Sequence, residues 1–161
     1  MTTRPAQAVA STLCQTGSKM GSLHASAPNK IVQTCTGRSP AYWAQPASFD
    51  KWPHPYYPTT SNNSGIVASG FHAIGCMGGQ FGAKTMLDVL QLNGQGSFAD
   101  LGAHITAAIL NAAAGMTPVL NVSQVQAMWN DCAGRGYFEP IAGVRWGPQN
   151  IVAYIRTTMP G

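Results

Sequence analysis

The chain has 161 residues, enough for one domain with a sizeable core, and its hydrophobic fraction of 45% is ordinary for a globular protein. Only 9% of the residues are charged, against roughly a quarter in typical soluble domains. A surface with so little charge repels neighbouring molecules weakly. The composition therefore favours an extracellular or assembling protein over a cytosolic enzyme.

The net charge of +4 comes from nine basic residues against five acidic ones. The basic residues are scattered along the chain and form no stripe that would follow a phosphate backbone, so we expect no nucleic-acid partner. No apolar run approaches the ~20 residues that a membrane-spanning helix needs. We therefore expect no membrane span either.

Residues 1–34 are rich in small polar side chains and show no sustained hydrophobic period. We predict that they form an extended N-terminal arm with two short strands, at Ala8–Leu13 and Lys30–Cys35. Residues 35–161 are predicted to form a single helical domain stabilised by disulfides.

The four cysteines, Cys14, Cys35, Cys76 and Cys132, form no C-x-x-C pair and stand at no zinc-finger spacing from a histidine. An even number of widely separated cysteines in a charge-poor chain favours two disulfides and an oxidising compartment. Of the three pairings, we favour Cys14–Cys35 with Cys76–Cys132, which closes the N-terminal loop and joins two core segments. The alternative is four buried free thiols.

Residues 40–60 combine aromatic side chains with five prolines, which exclude a long helix or an interior strand. A short helical turn around Pro46–Trp52 fits this composition. The aromatic side chains either pack against the core, which we favour, or form an exposed binding platform. The candidates for this binding or packing platform are Tyr42, Trp43, Trp52, Tyr56 and Tyr57.

From residue 84 onward the sequence predicts four helices joined by short loops, so the fold class is mainly α: a compact bundle of about four helices after a loop-rich N-terminal region. The central helix is Ser97–Gly115, with Ser97 as N-cap and apolar residues at the spacing of one buried face. Shorter helices are predicted at 84–92, from an N-cap at Ser123 to about residue 135, and from Pro148 to about residue 159.

The strongest candidate for catalysis is His104, one helical turn after Asp100, but we expect a structural pair because no G-x-S-x-G motif supplies a nucleophile. His72 and Cys76 are four residues apart and would chelate a metal only on a helix. Gly70 and Gly75 make a helix there unfavourable. We therefore predict no catalytic residue, no metal and no cofactor.

Two stretches together resemble a family of secreted bacterial proteins. Its members carry a Cys-Thr pair, a Gly-Tyr-Trp-Lys-Asn-His-Pro-like motif, a Trp-Pro pair and a GSF-x-x-L-G-x-H-x-x-A-A-x-L-N helix. The corresponding residues here are Cys35-Thr36, Ser39–Pro46, Trp52-Pro53 and Gly96–Asn111.

The chain departs from this family's motif at two places. Ala41 replaces the glycine, and Ala44-Gln45 replaces the Lys-Asn-His portion, so no ligand role of that lysine or histidine carries over. The resemblance implies export and residence outside the cell or on its surface. It implies no established catalytic chemistry.

These observations favour a non-catalytic, secreted structural protein that self-assembles into an extracellular filament, matrix or surface layer. Its partner would be a second copy of the chain, contacted by the N-terminal arm in the manner of strand addition. The alternative is a secreted binding module that uses the aromatic platform for carbohydrate or peptide. A small secreted hydrolase is a third hypothesis.

Overall fold

The computed structural model describes residues 12–15 and 31–160 of the chain. Within these ranges there are five α-helices, two 3₁₀ turns and two short strands. The helices are α1 (Pro40–Ala44), α2 (Met86–Leu90), α3 (Ser97–Ala113), α4 (Val122–Arg135) and α5 (Pro148–Arg156). The predicted mainly helical fold, with packed helices in the C-terminal half and a loop-rich N-terminal region, is confirmed.

Helix α3 lies at the centre of the bundle and packs against α1, α2, α4 and α5. The sequence predicts one buried face, but every residue from Leu101 to Asn111 is buried. Neighbouring helices cover this stretch on all sides, and its small residues, among them Gly102 and Ala107, let them approach closely. Its end agrees with the prediction, since Gly115 follows the helix with a φ of +76°.

Two predicted N-caps are wrong, because each helix begins slightly earlier than expected. Gly96 occupies the N-cap position of α3, and Ser97 is already helical and caps nothing. Asn121, rather than Ser123, caps α4 by accepting the Gln124 amide N–H, while the Gln124 side chain accepts the Asn121 amide N–H. This reciprocal pair satisfies two amide groups that a lone Ser123 cap would leave open.

The proline-rich segment contains two short helical pieces. Helix α1 begins at Pro40, whose preceding residue Ser39 accepts the Tyr42 amide N–H. A 3₁₀ turn follows at Pro46–Lys51, where the composition predicts a short turn. A second 3₁₀ turn lies at Phe71–Ala73.

Strands β1 (Thr12–Gln15) and β2 (Ile31–Thr34) pair in parallel, with Cys14 opposite Gln33. The second predicted strand is confirmed, whereas residues 8–11 of the first lie outside the described residues. Directly after β2, the amide N–H of Thr36 donates to Met116 (2.8 Å) and that of Gly37 donates to Thr158 (3.0 Å). These bonds join the strand pair to the bundle. In the part of the chain that the structure describes, no helix is long and apolar enough to cross a membrane.

Candidate functional site

The two tryptophans of the aromatic platform are core residues. Trp43 and Trp52 are buried, and both indole N–H groups are used within the protein. That of Trp43 donates to Oδ1 of Asn111 (3.0 Å), and that of Trp52 donates to the carbonyl oxygen of Trp43 (3.1 Å). Their ring faces are therefore not available to a ligand.

The three tyrosines of the platform are half-buried. Tyr42 lies under the guanidinium of Arg38, which is 4.8 Å from the ring centroid. The Tyr57 amide N–H donates to the Ser69 hydroxyl (2.9 Å), and the ring of Tyr57 meets the exposed His54 edge-on at 6.4 Å. Tyr57 and the exposed His54 therefore form an aromatic pair in this segment.

Cys14 and Cys35 form the predicted disulfide, with their Cα atoms 5.4 Å apart. The predicted Cys76–Cys132 disulfide is wrong, because both cysteines are free and buried. Cys76 lies in a loop that Gln126, Trp129 and Asn130 of α4 hold, whereas Cys132 lies on that helix about 60° around the axis and about 4.5 Å along it from Trp129. Burial raises the pKa of the Cys76 thiol to about 12 and also raises that of Cys132, so both stay neutral thiols.

His104 and Asp100 do meet, but not as a catalytic pair. Nδ1 of His104 donates to the backbone carbonyl oxygen of Asp100 (2.8 Å), whereas the Asp100 carboxylate accepts the Gly94 amide N–H. Burial lowers the pKa of His104, opposed by the hydrogen bond to Asp100. The buried imidazole is thus neutral, and its contact with Asp100 lies within α3.

His72 and Cys76 also meet, again through the backbone. Nδ1 of His72 contacts the carbonyl oxygen of Cys76 (2.9 Å), and Nε2 accepts the amide N–H of Phe81 (3.1 Å). Both ring nitrogens are thus occupied by main-chain groups. Among residues 12–15 and 31–160, no three His, Cys, Asp or Glu side chains are grouped so as to hold a metal ion.

Two structural features lie in residues that sequence reasoning did not select. One is the buried carboxamide of Asn111, which binds the backbone of Arg38 on both sides. The other is the side-chain row Gln126, Trp129 and Asn130 on α4, which holds the glycine-rich loop around residue 75. Their spacing of three and four residues on a helix could be seen in the sequence. It could not show what they bind, because their partners lie 52 to 73 residues away.

Comparison with known proteins yields no relative: no family model, no curated protein and no solved structure matches the chain. The resemblance to a secreted bacterial family therefore stays a prediction that rests on the motifs around Trp43 and His104.

Proposed function

We propose that this chain is a non-catalytic, secreted structural protein whose copies associate into a filament, matrix or surface layer. The observation that carries the proposal is the parallel pair of β1 and β2. No other described strand extends this pair. A two-stranded sheet of this length is marginal alone, and we infer that a strand of a second copy pairs with one of its edges through backbone N–H and C=O groups.

The surface supports association because only 9% of the residues are charged. Asp50 lies 3.6 Å from Lys51, and Arg135 lies 3.5 Å from Asp131 and 3.8 Å from Glu139. Opposite charges that neutralise each other locally produce weak fields at a distance. Two copies, each with a net charge of +4, would therefore repel each other only weakly at physiological ionic strength.

The environments of the acidic residues support a role without catalysis. All five acids of the sequence lie among the described residues. Three of them form the ion pairs with Lys51 and Arg135. Asp88 completes the capping box of α2, and Asp100 binds Gly94. Each carboxylate thus has a local structural contact, which is consistent with a structural role for all five.

The disulfide supports export. Cys14–Cys35 fastens β1 to the residue that follows β2, and such bonds persist mainly in oxidising compartments. Removing the N-terminal arm would remove both strands. The helical bundle begins beyond them at Pro40, so it supplies a matched folded control.

Electron microscopy and light scattering of the oxidised full-length protein test this proposal. We expect polymers or large oligomers from the full chain, and monomers with the same helical circular dichroism from a variant that lacks residues 1–34 and carries Cys35→Ser. A full-length Cys14→Ser/Cys35→Ser variant controls for loss of the disulfide alone. A wild-type protein that stays monomeric at the highest attainable concentration would refute assembly, and polymers of the truncated variant would refute strand addition.

The alternative proposal, a module that binds carbohydrate or peptide, is supported by the pair of half-buried Tyr57 and exposed His54, whose rings meet edge-on. Tyr57→Ala should abolish retention on a glycan or peptide array without changing the thermal unfolding midpoint. Trp52→Ala is the contrasting variant, which should lower the midpoint because the indole is buried. Absence of any ligand retained by the wild-type protein would count against this alternative.

A further inference from the structure

The loop of residues 74–82, named the strap here, is held against α4 almost entirely through its backbone. Gln126, Trp129 and Asn130 donate to the carbonyl oxygens of residues 74, 77 and 75, at 2.7, 2.8 and 3.0 Å respectively. Asn130 also accepts the amide N–H of residue 77 at 2.7 Å. These three side chains lie on one face of α4, since they are spaced by three and four residues.

His72 holds the strap from its other side, and its protonation state follows from its partners. A backbone amide only donates, so Nε2, which accepts the Phe81 N–H at 3.1 Å, carries no proton. Nδ1 then carries the proton and donates it to the carbonyl oxygen of Cys76 at 2.9 Å. The closed strap therefore requires a neutral imidazole with its proton on Nδ1.

The strap packs the large ring of Phe81 against the bundle. The Phe81 ring stacks on Trp129 with centroids 5.5 Å apart and meets Phe71 edge-on at 5.2 Å. It also lies against Gly102 of α3, where an added Cβ would come within 2.5 Å of the ring. Absence of a side chain at Gly102 creates the notch that Phe81 occupies.

We propose that the strap is an acid-released element, closed by neutral His72 and opened when His72 takes up a proton. Protonated Nε2 becomes a donor that faces the Phe81 N–H, so one hydrogen bond is lost and two donors are left opposed. Gly75, Gly78 and Gly82 have φ values of +91°, +98° and +57°, and glycine tolerates such backbone changes best. Opening would withdraw Phe81 from its notch and expose the apolar surface around Trp129.

The groups that contact His72 are uncharged, so the charge on its own imidazole is the one that acts on the strap. The Cys76 thiol is neutral, because burial raises its pKa to about 12. The rings in contact, those of Phe71, Phe81 and Trp129, carry no charge. None of the ion pairs between described residues includes His72. At the end of the strap, Lys84 is exposed and contributes its carbonyl oxygen to the Phe71 amide N–H.

Amide hydrogen exchange at Phe81 tests the proposal in the full-length protein. His72→Gln keeps an acceptor for the Phe81 N–H but does not titrate, and comparing it with wild type at each pH cancels the intrinsic pH dependence of exchange. Histidine side chains change charge between about pH 5 and 8. Over this range we expect wild-type protection to fall by about ten-fold relative to His72→Gln, the effect of one lost hydrogen bond. Binding of an apolar dye should rise in parallel in the wild type but not in His72→Gln.

His54→Gln is the matched control, since His54 is exposed and holds no part of the strap. It should respond to pH as the wild type does. The proposal would be overturned if the ratio of Phe81 amide protection in the wild type to that in His72→Gln did not change with pH. It would also be overturned if His72→Gln bound more apolar dye at low pH, as the wild type should. If that variant does not fold, ¹⁵N spectra of the wild-type imidazole decide. The proton must reside on Nδ1 at neutral pH, and a ring protonated on Nε2 would overturn the closed-strap geometry.

Discussion

Replacing Asn111 by leucine should destabilise the protein strongly although the two side chains have similar size. Oδ1 of Asn111 accepts the Arg38 amide N–H at 2.8 Å and the Trp43 indole N–H at 3.0 Å, and its Nδ2 donates to the Arg38 carbonyl oxygen at 3.0 Å. This carboxamide joins the end of the central helix α3 to a segment 73 residues earlier in the chain.

The magnitude follows from which groups lose their partners. The indole N–H of Trp43 is fully buried, and a buried donor without a partner costs about 1–3 kcal/mol. The Arg38 backbone is only partly buried, so water replaces part of its two bonds, at roughly 1 kcal/mol in total. We expect Asn111→Leu to lower the free energy of unfolding by about 2–4 kcal/mol, a large share of the 5–15 kcal/mol typical of a domain.

Urea unfolding followed by circular dichroism, with the disulfide intact, measures this change. Asn63→Leu, at an exposed turn position, is the matched control and should change the free energy of unfolding by less than about 0.5 kcal/mol. In a double-mutant cycle with Trp43→Phe, the unpaired indole N–H is gone, so about 1–2 kcal/mol of the penalty at Asn111 should disappear. A single Asn111→Leu variant as stable as the control would refute the reasoning.

Two further predictions concern buried positions of α3. Gly102→Ala places a Cβ 2.5 Å from the Phe81 ring and should destabilise the protein by roughly 1–2 kcal/mol. The control is Gly134→Ala on α4, which has open space around it and should stabilise the protein by about 0.5–1 kcal/mol. Equal shifts of the unfolding temperature in both variants would contradict the close packing of Phe81 on Gly102. His104 has a pKa below its ordinary 6.5, so the unfolded chain binds its proton at higher pH than the folded one. Its contribution to stability is full above about pH 6.5 and falls at lower pH by up to about 1.4 kcal/mol per pH unit. Urea titrations of His104→Gln should show a shallower decline below pH 6.5, and identical slopes would argue against a buried neutral imidazole.

Much of the helical layout could be predicted because its signals are local. Gly115 and Gly136 end α3 and α4 with positive φ, and Pro148 starts α5, where the sequence places these boundaries. Each signal acts within one or two turns of its own helix. The predicted caps at Ser97 and Ser123 failed because a capping residue competes with its neighbours: Gly96 and Asn121 took those positions instead.

The sequence by itself determined that the chain is mainly helical and that α3 is its central helix, whereas the Cys14–Cys35 pairing, one of several open to the sequence, was decided by the structure. Periodicity, helix propensity and short loops encode these properties locally. Only the tertiary structure decided what the polar core residues bind. The Asn111 carboxamide and the α4 row around Trp129 find backbone partners at least 52 residues away. The spacing of residues in the sequence does not predict such partners, because these contacts depend on how the helices pack around one another.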